Sequence, residues 1–552
     1  MKKRIIAILL SLVLCLALLA ACAPQNEPTP GPATPGPGPA GPAGTGGDGG
    51  GMLEQAPVDP GANFKEHIDI IIDNNNIAVI NPFNPAANPT STNWTFLMAH
   101  DRLIERDHDI GEFVPSLAHT WGTDDYQTFR FYLREDVYFH NGQKFTADDV
   151  IFTIEHAREF GAGSPGFAQW SPVDTFRAID AYTVELVLTN VNVDFYHNLS
   201  VPSAAIVSRT ALAADPDTGT HIGTGPYIVY QFVSNDFVTF VRNENFWNER
   251  FNIVTPMVTL RFVPEMAART IRMQNGESHL SFGTSADDLQ LFQNDPDNFQ
   301  VLPQTFNTVQ GYSFNMNDPL LQCYHLRMAI MHATNREYIA LFAASEWAVS
   351  IYGHPRGGGT IWGYATDFRN NDIPAIPYDL DRARYHLEQS IYNGEEIEIA
   401  AAIITNIRAA QALQQQLARV GINTRVAEFD SPGLSAYMIN PDGGSQIVFF
   451  SLQMNLSAGS ARNLFYPGQP QNRMQFNNPE VNALLTEAAG TLDTNARRDI
   501  YMRIQEIVAE DPPFLQVFWR INGTVAASGL GGIRLPADNL QNDFREIFMV
   551  ID

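Results

Sequence analysis

"FRFYLREDVYFHNGQKFTADDVIFTIEHA", Phe129 to Ala157, changes period in the middle. Phe129, Phe131 and Leu133 alternate with polar neighbours, as a half-buried strand does. Val150, Ile154 and Ala157 follow at i, i+4 and i+7, the spacing of one helix face. Asn141-Gly142 between them is the strongest short hairpin signal, because a type I′ turn needs φ > 0 at both positions. Thr146 is placed to cap the helix, with Asp148 and Asp149 in its first turn, where the dipole favours negative charge. Glu135, Asp136, His140, Asp148 and Asp149 lie close together here. Each has a local backbone explanation, so the stretch reads as scaffold rather than as a catalytic or metal site.

The same alternation of periods runs along the chain. "TVELVLTN", from Thr183, reads as a strand. "EIEIAAAI", "NIRAAQALQQQLARVG" and "INTRVAEF", from Glu396 to Phe429, read as strand, helix and strand. Such a βαβ unit has a right-handed crossover, and Gly421 supplies the positive φ at the helix end. "TNARRDIYMRIQEIVAED" is a long amphipathic helix stopped by Pro512 and Pro513, and "FLQVFW" follows as a buried strand. The expected class is mixed α/β.

The first residues carry a different message. Lys2, Lys3 and Arg4 precede an uncharged apolar run, Ile5 to Leu19, and then "LAAC", ending at Cys22. The run is too short and wrongly flanked for a membrane span and reads as a secretory signal. "LAAC" resembles a bacterial lipobox, which implies cleavage before Cys22 and diacylglycerol on its thiol. Residues 22–62 are rich in Pro and Gly, cannot repay ordering entropy, and read as a tether. The chain has three Cys: Cys15 in the signal, Cys22 at the anchor, and Cys323. No intrachain disulfide is then expected, and stability rests on the cores that some five hundred residues can build. Without Lys2, Lys3 and Arg4 the chain keeps 31 basic against 60 acidic residues, a net charge of −29. Such a surface repels nucleic acid and anionic headgroups.

Five segments in order resemble the family 5 solute-binding proteins of ABC importers. They are Val114–Ala157; "GTGPYIVYQFVSNDFVTFVRNENFW" from Gly223; "FNMNDPLLQCYHLRMAIMHATNREYI" from Phe314; "YDLDRARYHLEQS" from Tyr378; and the closing helix pair with its strand, Asn477 to Trp519. The resemblance implies a two-lobed periplasmic-binding-protein-like fold, with hinge strands between the lobes and a solute enclosed between them. The first lobe would comprise residues 63–305 and 515–552, with a subdomain inserted at about 93–188. The second would be 306–514. The resemblance also implies a monomer that hands a peptide, oligosaccharide or other solute to an ABC permease. It implies no enzymatic activity and no cofactor.

In peptide-binding members an acid in a loop after a lobe strand holds the ligand's ammonium group. The equivalent stretch here, Gly444 to Tyr466, contains no acid, and the position falls near Asn455, with Leu452 where those members carry Trp. Asn455 offers a neutral donor and acceptor, which suits hydroxyls and amides. A buried ammonium without a counter-charge would cost several kcal/mol, so a neutral oligosaccharide is favoured over a peptide with a free N-terminus. Trp94, Trp170, Trp362 and Tyr364 stand in loop-like contexts and are candidate stacking faces.

Enzyme readings have little support. No His-Glu-x-x-His, no Cys/His cluster at zinc spacing and no Gly-x-Ser-x-Gly occurs. His325 and His332, seven apart on an expected helix, read as a surface pair. The alternatives are a secreted α/β hydrolase, which needs a reactive group in the cleft, and a solute sensor without a transporter.

Cys22→Ala should move the protein from the membrane to the soluble fraction in a fractionation assay. Unchanged membrane retention would contradict the anchor.

Overall fold

A computed structural model gives the fold. It describes residues 51–52, 63–72, 77–84, 89–107, 112–161, 164–284, 286–344, 348–350, 373–438, 446–453, 460–469, 471–535 and 542–551. The signal, Cys22 and nearly all of the tether lie outside these residues. Among the described residues no helix is long and apolar enough to cross a membrane.

An eleven-stranded mixed sheet runs through the molecule. On one side it is built from Tyr227–Val233, Phe237–Arg242, Met257–Phe262, His67–Ile72 and Leu280–Thr284. On the other side stand Ile447–Gln453, Ile397–Ala402 and Thr424–Phe429. "HIDIII" and "IEIAAA" are apolar in near-continuous runs because each is paired in parallel within the sheet and covered on both faces. The expected βαβ unit is present: helix Ile404–Ala418 joins two parallel strands, and Gly421, at φ +87°, turns the chain out of it.

Two long strands occupy the middle of the sheet. The outgoing strand, Phe299–Phe314, and the return strand, Phe514–Ala527, pair antiparallel from Phe299↔Ala527 to Ser313↔Phe514. Their register breaks between Thr305↔Ile521 and Val309↔Trp519, so residues 306–308 stand opposite Arg520 alone. The hydrophobic cores part at this break. One set draws on residues from Ile68 to Phe292 and from Val525 to Ile547. The other runs from Val309 to Trp519. Phe514, Leu515, Val517, Phe518 and Trp519 therefore pack in the second lobe, which extends beyond the boundary at 514 read from sequence.

A separate four-stranded antiparallel sheet, Ala118–Thr123, Thr128–Leu133, Thr183–Leu188 and Val173–Asp180, forms an addition to the first lobe. Helix Ala147–Phe160 packs on it, burying Val150, Ile154 and Ala157. The Asn141-Gly142 turn differs from type I′. Only Gly142 has positive φ, at +83°. Gly142 N donates to Phe139 O and Phe139 N to Gln143 O, both at 2.8 Å. This is the three-residue hairpin in which a glycine bulge follows an ordinary turn. Asn141 stays at negative φ because its side chain accepts from Gln143 N at 3.1 Å.

His140 locks this hairpin to the lobe. Its Nε2 donates to Gly225 O at 3.0 Å and its Nδ1 accepts from Gly223 N at 3.3 Å. Burial holds its pKa down at about 4. Both glycines are required: a Cβ at Gly223 would sit 2.0 Å from Ala99 O, and one at Gly225 2.6 Å from Ala99 C. The C-terminal segment is tied in by charge. Arg545 donates to Glu105 at 2.8 Å and to Asp543 at 2.8 Å, all three residues being buried or nearly so.

The capping box expected at Thr146 is present, and its acid is the stronger half. Thr146 N donates to Asp149 Oδ2 at 3.0 Å, whereas the Thr146 hydroxyl lies 3.4 Å from that oxygen. Asp149 Oδ1 also accepts from Arg209 N at 3.2 Å, and Asp149 is only 2% exposed. Asp149→Ala should therefore destabilise the fold by about 1–3 kcal/mol, since it removes the acceptor of two partly buried amides. Thr146→Ala should cost less, about 0.5 kcal/mol, the low end for a lost cap. Thermal melts of both variants check the order; a larger effect at Thr146 would show that the hydroxyl carries the cap.

Candidate ligand cleft

The cores of the two lobes part at the register break of the shared strands. Strand Ile447–Gln453 runs along the outgoing strand and ends with Gln453 opposite Thr308, at the register break. The described strand therefore ends at the boundary between the two cores. Leu452, one residue before that end, is buried in the second-lobe core opposite Val309. Its neighbour Ser451 is exposed and donates to Gln310 Oε1 at 2.8 Å. Strand Ala348–Ser350 also borders the break, with Ala348 opposite Arg520. The candidates Asn455, Trp362 and Tyr364 lie outside the described residues.

The other two candidate stacking rings are not cleft residues. Trp94 and Trp170 are 2% and 1% exposed and belong to the first-lobe core. Trp94 packs at 4.8 Å from the Phe282 ring and 6.0 Å from Phe544. Trp170 closes a short helix, Pro165–Trp170, capped by the Ser164 hydroxyl. An indole brings a large apolar area, and core burial is its commoner use. "SPGFAQWSP" looked loop-like only because its helix is short and Pro-rich.

The histidines also differ from expectation. His332 is buried, with Nδ1 2.9 Å from Pro377 O. His325 Nδ1 lies 2.9 Å from Nδ1 of His386, which the sequence did not single out. One ring donates and the other accepts, and the contact joins helix Tyr324–Ala333 to helix Leu380–Glu388. Burial lowers the pKa of His332 and of His386, so neutral rings are favoured there. This is a helix-to-helix contact within the second lobe.

Away from the shared strands, the lobes also meet at charged groups. Arg497, in helix Thr494–Glu510 of the second lobe, places Nη1 3.9 Å from Oδ1 of Asp194 in the first. Among the described residues it is the one ion pair that joins the two cores' territories. His197, one turn beyond Asp194, packs edge-on to Phe113 at 4.9 Å. Burial lowers its pKa to about 4; Arg106 and Arg497 act the same way and Asp194 opposes them. Sequence reasoning missed this group, since no local pattern links residues three hundred positions apart.

Comparison with known proteins places these features in a wider set. Residues 112–473 match the family model described as bacterial extracellular solute-binding proteins, family 5. The heme-binding protein A of Haemophilus influenzae is 25% identical over 480 residues, covering 79% of this chain and 84% of its own length. The dipeptide-binding protein of Escherichia coli is 23% identical over 481 residues, covering 78% of this chain and 86% of its own. Among solved structures, the ABC transporter-associated periplasmic binding protein DppA of Helicobacter pylori, in complex with the peptide STSA, superposes with a TM-score of 0.71. That match has 20% identity and covers 88% of this chain and 99% of that one.

Proposed function

Because the chain belongs to the bacterial extracellular solute-binding proteins of family 5, we propose that it encloses a solute between its lobes and delivers it to an ABC permease. Lipid on Cys22 would hold it at the outer face of the cell membrane, and residues 22–62 would give it reach to the permease. The observation that carries this reading is the pair of strands shared by two separate cores, with its register break between them. Each lobe can keep its packing while the break absorbs a rotation. A solute that touches both lobes binds only the closed form well, so it shifts the population toward closure. The permease reads that form, and the solute leaves chemically unchanged.

Peptides are the solute class supported by the names of relatives: a dipeptide-binding protein and a structure with a bound tetrapeptide. A second reading rests on this chain's own residues. Between Gly444 and Tyr466 there is no acid, and Asn455 falls near the sequence position at which the peptide-binding members carry one. A ligand without an ammonium group at that point would lose less on entering. Neutral oligosaccharides meet that condition, with Trp362 or Tyr364 as the stacking faces.

Calorimetry of the chain against unblocked dipeptides, their N-acetylated forms and neutral oligosaccharides separates the readings. The missing acid predicts stronger binding of the oligosaccharides, and of acetylated peptides over unblocked ones. Micromolar binding of unblocked peptides alone would contradict it, and would place the ammonium partner in another segment.

A further inference from the structure

Asp194 and Arg497 each sit where their own helix does not explain them. Asp194 is the N-cap of helix Phe195–Ser200, yet its carboxylate accepts no capping hydrogen bond. A capping Asp normally turns its carboxylate inward to the amides of the first turn. Arg497 lies near the N-terminus of helix Thr494–Glu510, where the dipole disfavours positive charge. That N-terminus is already capped by Asp493, whose Oδ1 accepts from Ala496 N at 2.8 Å. Both side chains are about four-fifths covered, at 22% and 15% exposed, and they approach to 3.9 Å. One packs with the first core and the other with the second, on chain segments three hundred residues apart.

We propose that the Asp194–Arg497 pair is a latch that sets how far the closed form is populated. The proposal rests on the reading that the lobes open and close about the shared strands. The two charges meet only when the lobes are together; in the open form each faces water. Their attraction is then present in one state and absent in the other, which is the condition for shifting an equilibrium. Each residue also contributes little to its own helix, so removing it leaves the lobes folded. An ion pair of this exposure contributes less than about 1 kcal/mol, and salt screens it. That is enough to alter the closed fraction about two- to fivefold.

Spin labels placed on the chain by Glu159→Cys and Asp381→Cys, with Cys15→Ser, Cys22→Ser and Cys323→Ser, report the interlobe distance without any ligand. Both labelled positions are strongly exposed, at 76% and 96%, and stand on different lobes. Arg497→Ala should cut the short-distance fraction about two- to fivefold with the melting temperature unchanged. The swap Asp194→Arg with Arg497→Asp should restore that fraction. Added salt should lower it in the parent chain and not in Arg497→Ala. If Arg497→Ala leaves the distances as they were while the parent still exchanges between two, the latch is refuted and lobe motion stands. If the swap fails to restore the short distance in a folded chain, the latch is refuted as well. If the parent shows a single unchanging distance, the two-state reading itself falls, and the latch with it.

Discussion

Every long-range feature of this molecule depends on two strands belonging to two cores at once. The outgoing and return strands share a backbone ladder from Phe299↔Ala527 to Ser313↔Phe514. Buried backbone groups must stay paired, so this ladder holds the lobes together at all times. The place where it gives way is small: residues 306–308 stand opposite Arg520. Bulges of this kind bend a strand without dissolving the sheet. A second, one-residue shift follows between Gln310 and Gly311, where Val517 is the extra residue, and paired ladder continues on both sides of this short irregular stretch. Packing resists deformation within each lobe, because close-packed interiors transmit strain instead of absorbing it. Movement is left to the break.

The boundary between the lobes is set by the same constraint. Strand Ile447–Gln453 follows the outgoing strand until the break. That strand therefore ends where the two cores part. The first lobe is stiffened from the other side. His140 fastens the hairpin to Gly223 and Gly225, whose missing side chains let the chain pass against Ala99. Of the acids beside that hairpin, Asp149 is taken up by backbone amides and Asp136 by the Arg134 guanidinium.

Much of this was legible in the sequence because it is local. Period two in "FRFYLRED", period 3.6 in "DDVIFTIEHA", and the strand–helix–strand of Glu396 to Phe429 are backbone statements, and the structure repeats them. Order along the chain was enough to indicate the family. The failures are tertiary, with one local exception at the Asn141-Gly142 turn. Trp94 and Trp170 have the same local signature whether a core or a cleft covers them, and here a core does. The Asn141-Gly142 turn type depends on how Asn141 bonds its neighbours. His386 meets His325, and Arg497 meets Asp194, only after distant segments fold together. The second lobe reaches Trp519 because side chains of the return strand face its cores, which periodicity in six residues, five of them apolar, does not reveal.

The central claim is that the chain holds a solute and returns it unchanged. Native mass spectrometry of the chain purified without denaturation tests it most directly. The account predicts a complex heavier than the chain by the mass of a single small solute. Unfolding should release that solute, and re-addition to the emptied chain should restore the complex with the same mass after prolonged incubation. A solute that comes back cleaved or otherwise altered would contradict the account and make the cleft a catalytic one.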